Sequence, residues 1–101
     1  MASFNIRFKP SVEKDLRRLP KKLVSRVMER IENLKDEPFP HGVTKIEGAE
    51  RLYRVRQGDY RIVYEVDTDA KQITIHYVRH RNDVYRDLWN LAGQTEIVGL
   101  G

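Results

Sequence analysis

Arginine is the residue type that could do chemistry in this chain, and the segment from Leu52 to Val66 concentrates it. Leu52-Tyr53-Arg54-Val55-Arg56-Gln57 and Tyr60-Arg61-Ile62-Val63-Tyr64-Glu65-Val66 flank the pair Gly58-Asp59. Both runs alternate apolar with polar residues and are rich in aromatic and β-branched types, the pattern of half-buried strands. The two-residue loop tolerates positive φ, so the pair reads as a β-hairpin. With Gln57 opposite Tyr60, Arg56 faces Arg61. The two-residue period then puts Arg54, Arg56, Arg61 and Val63 on one face, and Tyr60, Ile62, Tyr64 and Val66 on the other. Like charges set directly opposite each other destabilise a strand pair by roughly a few tenths of a kcal/mol or more. An anion between them relieves that repulsion, and the planar guanidinium suits bidentate contacts to phosphate.

The elements that must position these side chains follow from the rest of the pattern. Phe4, Ile6 and Phe8 alternate with Asn5 and Arg7 as a first strand, which Pro10 ends. Ser11 is placed to cap a helix carrying Val12, Leu16 and Leu19 at helical spacing, with Glu13 in its first turn. Pro20 closes that helix and opens a second, from Lys21 to about Lys35, with Leu23, Val24, Val27, Met28, Ile31 and Leu34 as one apolar stripe. The outer face of this helix mixes Lys22, Arg26 and Arg30 with Glu29 and reads as a solvated face. Two prolines and a glycine make 36–42 a connection, with His41 as a solvent-facing loop residue.

Val43 to Glu47 lead through Gly48 into the hairpin. The polar run 67–71 then turns the chain into a strand in which Ile73, Ile75 and Tyr77 alternate with Gln72, Thr74 and His76. The Ile and Tyr side is expected on the core with Tyr60, Ile62, Tyr64 and Val66, beneath the helix hairpin, and His76 on the arginine face. In an antiparallel meander the end of this strand, near Val78, returns beside Arg56 and Arg61. Arg79-His80-Arg81, just past the strand, is thereby expected at the same edge. Asn82 is placed to cap a short final helix with Val84, Tyr85, Leu88 and Trp89, and 91–101 form a candidate flexible tail. The expected fold is one α+β domain over 1–101, an N-terminal strand and helix hairpin packed on a mainly antiparallel sheet, with a short C-terminal helix.

Composition narrows the classes of function. The 101 residues are 40% hydrophobic and 34% charged, without a run long enough to span a bilayer, as in one globular domain away from membranes. An apolar leader is not evident, which makes the cytoplasm the expected location. Cysteine is absent and the three histidines lack ligand spacing, so neither a metal nor another cofactor is expected. The net charge of +4 decides nothing alone, but Arg51, Arg54, Arg56, Arg61, Arg79, Arg81 and Arg86 crowd the C-terminal half, and that distribution favours a polyanionic partner.

The order of elements, with Leu52-Tyr53-Arg54-Val55-Arg56, Gly58-Asp59-Tyr60-Arg61-Ile62-Val63-Tyr64 and Val78-Arg79-His80-Arg81-Asn82-Asp83-Val84-Tyr85, resembles the RelE/ParE toxin superfamily, and within it the RelE branch, from residue 3 to about 88. The resemblance implies a toxin of a type II toxin-antitoxin system that cleaves mRNA in the ribosomal A site without metal. It implies attack of a ribose 2′-hydroxyl on the adjacent phosphate, giving a 2′,3′-cyclic phosphate. Ribosome, mRNA and an acidic, RelB-like antitoxin are the implied partners. Matched by motif, Arg54 and Arg56 take the paired basic positions of the catalytic strand, Arg61 the hairpin arginine, Arg79 the post-strand arginine and Tyr85 the terminal tyrosine.

The best-known members carry lysine at the two strand positions, whereas arginine is a poor proton acceptor. The general base therefore stays open among Tyr85, His80 and His76, with Arg81 a further candidate for RNA contact. Tyr85 could equally stack on a base or belong to the core. A ParE-like member would share the fold and inhibit DNA gyrase by binding, without nuclease activity.

Overall fold

In a computed structural model, which describes residues 3–83, the chain runs β1 (Asn5–Phe8), α1 (Pro10–Arg17), α2 (Lys21–Asn33), β2 (Thr44–Lys45), β3 (Leu52–Gln57), β4 (Tyr60–Asp67) and β5 (Gln72–His80). The expected C-terminal helix, Tyr85 and the 91–101 tail lie outside the described residues. The five strands form one sheet in the order β1-β5-β4-β3-β2. Only the β1–β5 pair is parallel; β2 to β5 pair antiparallel. This is the expected α+β arrangement, two helices on one face of a mainly antiparallel sheet.

The helix-covered face holds the main core. Val12 and Leu19 of the α1 segment and Val27, Ile31 and Leu34 of the α2 segment pack with Val55, Ile62, Tyr64, Val66, Ile73, Ile75 and Val78. The other face carries a small apolar patch, Ile46, Leu52 and Val63, with Tyr77 against it. Met28, placed by its spacing in the apolar stripe of α2, is instead exposed at the stripe's edge. The α2 helix ends at Asn33, two residues before the expected limit, because the next amides bond three residues back rather than four: Leu34 to Ile31 and Lys35 to Glu32.

Two local readings are corrected. Pro10 takes the first helical position of α1, so Lys9 rather than Ser11 is the N-cap, and Lys9 supplies no side-chain bond. The Ser11 hydroxyl instead donates to the His76 carbonyl at 3.2 Å. The second correction concerns β5. Val63 pairs with Tyr77 but Tyr64 pairs with Ile75, so His76 is an extra residue, a β-bulge. The alternation reverses there. Ile73, Ile75 and Val78 reach the core, whereas Tyr77, expected with them, turns to the opposite face beside Val63.

The bulge coincides with the end of the β1 pairing at Ile75. Beyond that point β5 has an open edge, and α1 closes it. Ser11 accepts none of its own helix's burden but binds the His76 carbonyl, and Asp15, one turn on, receives the Val78 N–H at 3.0 Å.

Candidate active site: an arginine-lined cavity

The hairpin pairs as expected, with Arg56 opposite Arg61 and Gln57 opposite Tyr60. Its turn needs positive φ only at Gly58, at +63°, as in the turn type with glycine at the first central position. On the next strand Arg79 lies opposite Arg61, so Arg56, Arg61 and Arg79 form one row across β3, β4 and β5. The strand β5 runs through Arg79 and His80 rather than ending near Val78, because Arg81 N–H continues the pairing to the Asp59 carbonyl at 2.8 Å. That bond brings Arg81 beside the hairpin turn.

Arg54, Arg56 and Arg61 line a cavity of about 410 Å³ together with Arg30, His41, Gly42 and Thr44. The Arg61 guanidinium donates from Nη1 to the carbonyls of Gly58 and Tyr60, both at 3.2 Å. Burial lowers its pKa from the ordinary value, and Arg56, Arg54 and Arg81 push it the same way, against the pull of Asp59. The Arg61 guanidinium is thus the group at which burial and neighbouring arginines both disfavour the charged form.

Each other predicted residue has a definite place. Arg79 shares the row, but its Nε donates to Asp15 Oδ1 at 2.7 Å and its guanidinium lies over the Tyr77 ring at 4.7 Å. It borders the site and does not line the cavity. His80 alternates to the helix side, opposite Tyr60, with the two rings edge to face at 5.4 Å. Its Nδ1 accepts the Asn82 N–H, and it too is absent from the cavity wall. His76, expected on the arginine face, is buried in the bulge with Nε2 3.2 Å from Glu65 Oε1, and is likewise absent from the wall. Burial lowers its pKa, and the Glu65 hydrogen bond offsets that in part. Tyr64 is held in the core, its hydroxyl donating to the Pro38 carbonyl at 2.7 Å, and burial pushes the phenol well above its ordinary range.

Three residues matter here that the sequence reading passed over or placed elsewhere. Asp15, 4% exposed, holds both Val78 and Arg79. Arg30 contributes to the cavity from α2, and its Nε is buried without a hydrogen-bond partner among the described residues. Both left a signal. Val12-Asp15-Leu16-Leu19 and Val27-Arg30-Ile31-Leu34 repeat one spacing, with a charged residue inside an apolar stripe each time. Such a charge requires a partner or a ligand. His41, read as loop, is solvent-exposed and still forms part of the cavity wall. Its loop is tied down: Tyr64 binds Pro38, the Phe39 ring meets Tyr53 edge-on at 4.9 Å, and Val43 N–H closes a turn onto Pro40.

Chemically, the cavity offers cationic donors for a phosphate and one imidazole. Comparison with known proteins identifies the family. The family described as ParE toxin of type II toxin-antitoxin system, parDE, matches residues 6–85. A putative toxin RelE1 of Methanocaldococcus jannaschii is 33% identical over 87 residues, 83% of this chain and 97% of that protein. Among solved structures, a chain of the archaeal RelE-RelB complex from Pyrococcus horikoshii superposes with a TM-score of 0.71 at 36% identity, covering 78% of this chain and 96% of that one. A chain of the toxin-antitoxin complex RelBE2 from Mycobacterium tuberculosis gives 0.70 at 28% identity, covering 82% and 97%.

Proposed function

The chain belongs to the RelE/ParE toxin superfamily as a RelE-like type II toxin, and from that premise we propose that it is a metal-independent endoribonuclease that cleaves mRNA in the ribosomal A site, in the cytoplasm. The observation that carries this reading is the cavity walled by Arg54, Arg56 and Arg61, with like charges directly opposed across the hairpin. A fold without an anionic substrate gains nothing from that opposition.

In the proposed reaction the ribose 2′-oxygen attacks the neighbouring phosphorus, the bond to the 5′-oxygen breaks, and a 2′,3′-cyclic phosphate and a 5′-hydroxyl remain. The protein supplies no nucleophile. Arg54, Arg56 and Arg61 neutralise the charge that builds on the phosphorane, and Arg79, held by Asp15, fixes the rim beside Arg61. The resemblance adds Tyr85 from beyond the described residues.

The structural neighbours named for RelE-RelB and RelBE2 complexes support a second element of the proposal, an acidic RelB-like antitoxin that covers the basic face. A ParE-like reading, gyrase inhibition by binding, draws on the name of the matching family. One pair of assays separates the two. Purified protein is expected to cleave mRNA on programmed ribosomes, leaving 2′,3′-cyclic phosphate ends, and to leave gyrase supercoiling unaffected. Gyrase inhibition without RNA cleavage would overturn the nuclease reading.

A further inference from the structure

We propose that His41 is the general base of the cleavage reaction, accepting the 2′-hydroxyl proton from within the arginine cavity; this rests on the nuclease reading above. The charged and titratable groups of the cavity wall are Arg30 from α2, Arg54 and Arg56 from β3, Arg61 from β4 and His41 from the loop before β2. Guanidinium groups stay protonated and cannot accept a proton at neutral pH. Imidazole is the side chain whose ordinary pKa suits the task.

The other histidines are committed elsewhere. The sequence has three. His76 is buried against Glu65, and His80 stacks its edge on Tyr60 on the far side of the sheet. The described tyrosines are also occupied. Tyr64 donates to Pro38, Tyr53 packs between Phe39 and Tyr64, Tyr60 meets the His80 ring, and Tyr77 lies beneath Arg79. Among the described histidines and tyrosines, His41 alone combines a place in the cavity wall with exposure to solvent. Its loop is anchored on both sides, at Pro38 and at the Val43 to Pro40 turn, so the imidazole is presented from a braced segment rather than a free one.

The step balances simply. His41 takes the 2′-hydroxyl proton as the O2′–P bond forms. The P–O5′ bond breaks, the leaving 5′-oxygen takes a proton from water, and His41 returns its proton to the hydroxide so formed. The arginines that share the cavity wall hold the phosphate on which the new O2′–P bond forms.

The test is single-turnover mRNA cleavage on programmed ribosomes across a pH series, with wild type, His41→Gln, His41→Ala and Tyr85→Phe, each checked by thermal unfolding. Wild type should show a rate that climbs from acid pH and levels off. In His41→Gln that rise should disappear and the rate should drop by about a hundredfold or more, with folding unchanged. Added imidazole should restore part of the activity of His41→Ala, an effect that a merely structural residue would not show. A His41→Gln variant with the wild-type rate and profile would overturn the proposal, and so would loss of the acid limb in Tyr85→Phe alone. A weakened KM with kcat and its pH profile intact would make His41 an RNA-binding residue and overturn the base role. Failure of wild type itself to cleave would instead refute the nuclease reading, and the base with it.

Discussion

Arg61 and Arg79 look alike in sequence, yet their surroundings assign them different work. Arg61 lines the cavity, bonded among the described residues to carbonyls of its own turn and crowded by Arg56, Arg54 and Arg81. If the protein is the nuclease proposed above, replacing Arg61 by alanine should slow cleavage by about a hundredfold. Stability should stay level or rise slightly, because the cross-strand repulsion goes with it; a melting curve recorded beside the cleavage assay checks both halves. Asp15 is the opposite case. Asp15→Ala removes at once the carboxylate that accepts from the Val78 amide and from Arg79 Nε. Arg79 keeps 25% of its side-chain surface in water, which moderates the loss, and the cost should be about 3 kcal/mol. A drop of about 10 °C or more in Tm, with Asp15→Asn losing less, is the expected result.

At the scale of elements, the decisive feature is the point where β1 stops and β5 continues. The open edge there is closed by one face of α1, and the His76 bulge sits in the same place. The bulge buries a histidine whose pKa is lowered by burial, with Lys9 adding to the effect and Glu65 opposing it. The native state therefore resists protonation at a pH where the unfolded chain accepts it. Its contribution to stability is complete above the ordinary value of 6.5 and is lost as pH falls from there through the lowered folded value. Melting temperature should decline from about pH 7 to about pH 5 more steeply in wild type than in His76→Gln; parallel curves would remove His76 from the acid response.

Over the whole molecule, charge is unevenly spent. The helical segments carry mixed-sign pairs, Arg17–Glu13 on α1 and Lys35, just past α2, with Glu32, whereas the cavity wall gathers four arginines, and among the described residues no carboxylate, within the chain's net +4. Long-range attraction should therefore steer a polyanion toward the cavity end of the sheet. Association with an acidic RelB-like peptide should slow by roughly tenfold or more as salt is raised from about 50 mM to about 500 mM, with dissociation changing far less. Stopped-flow association rates measure this, and Arg54→Ala combined with Arg56→Ala should flatten the salt dependence.

What the sequence determined by itself was local and periodic. The Gly58-Asp59 turn and the two-residue alternation around it were enough to set Arg56 against Arg61, since a two-residue hairpin leaves only one register. The helical stripes likewise implied two helices over one sheet face. Tertiary structure decided everything that depends on where one strand outlasts another. No periodicity in Gln72 to His80 announces the bulge that turns Tyr77 away from the core and Val78 into it, because an extra residue is defined only by its partner strand. The claim of Asp15 on Arg79 spans 64 positions of sequence. The entry of Arg30 and His41 into the arginine cavity joins a helix, a proline-rich loop and a hairpin, and only packing brings those three together.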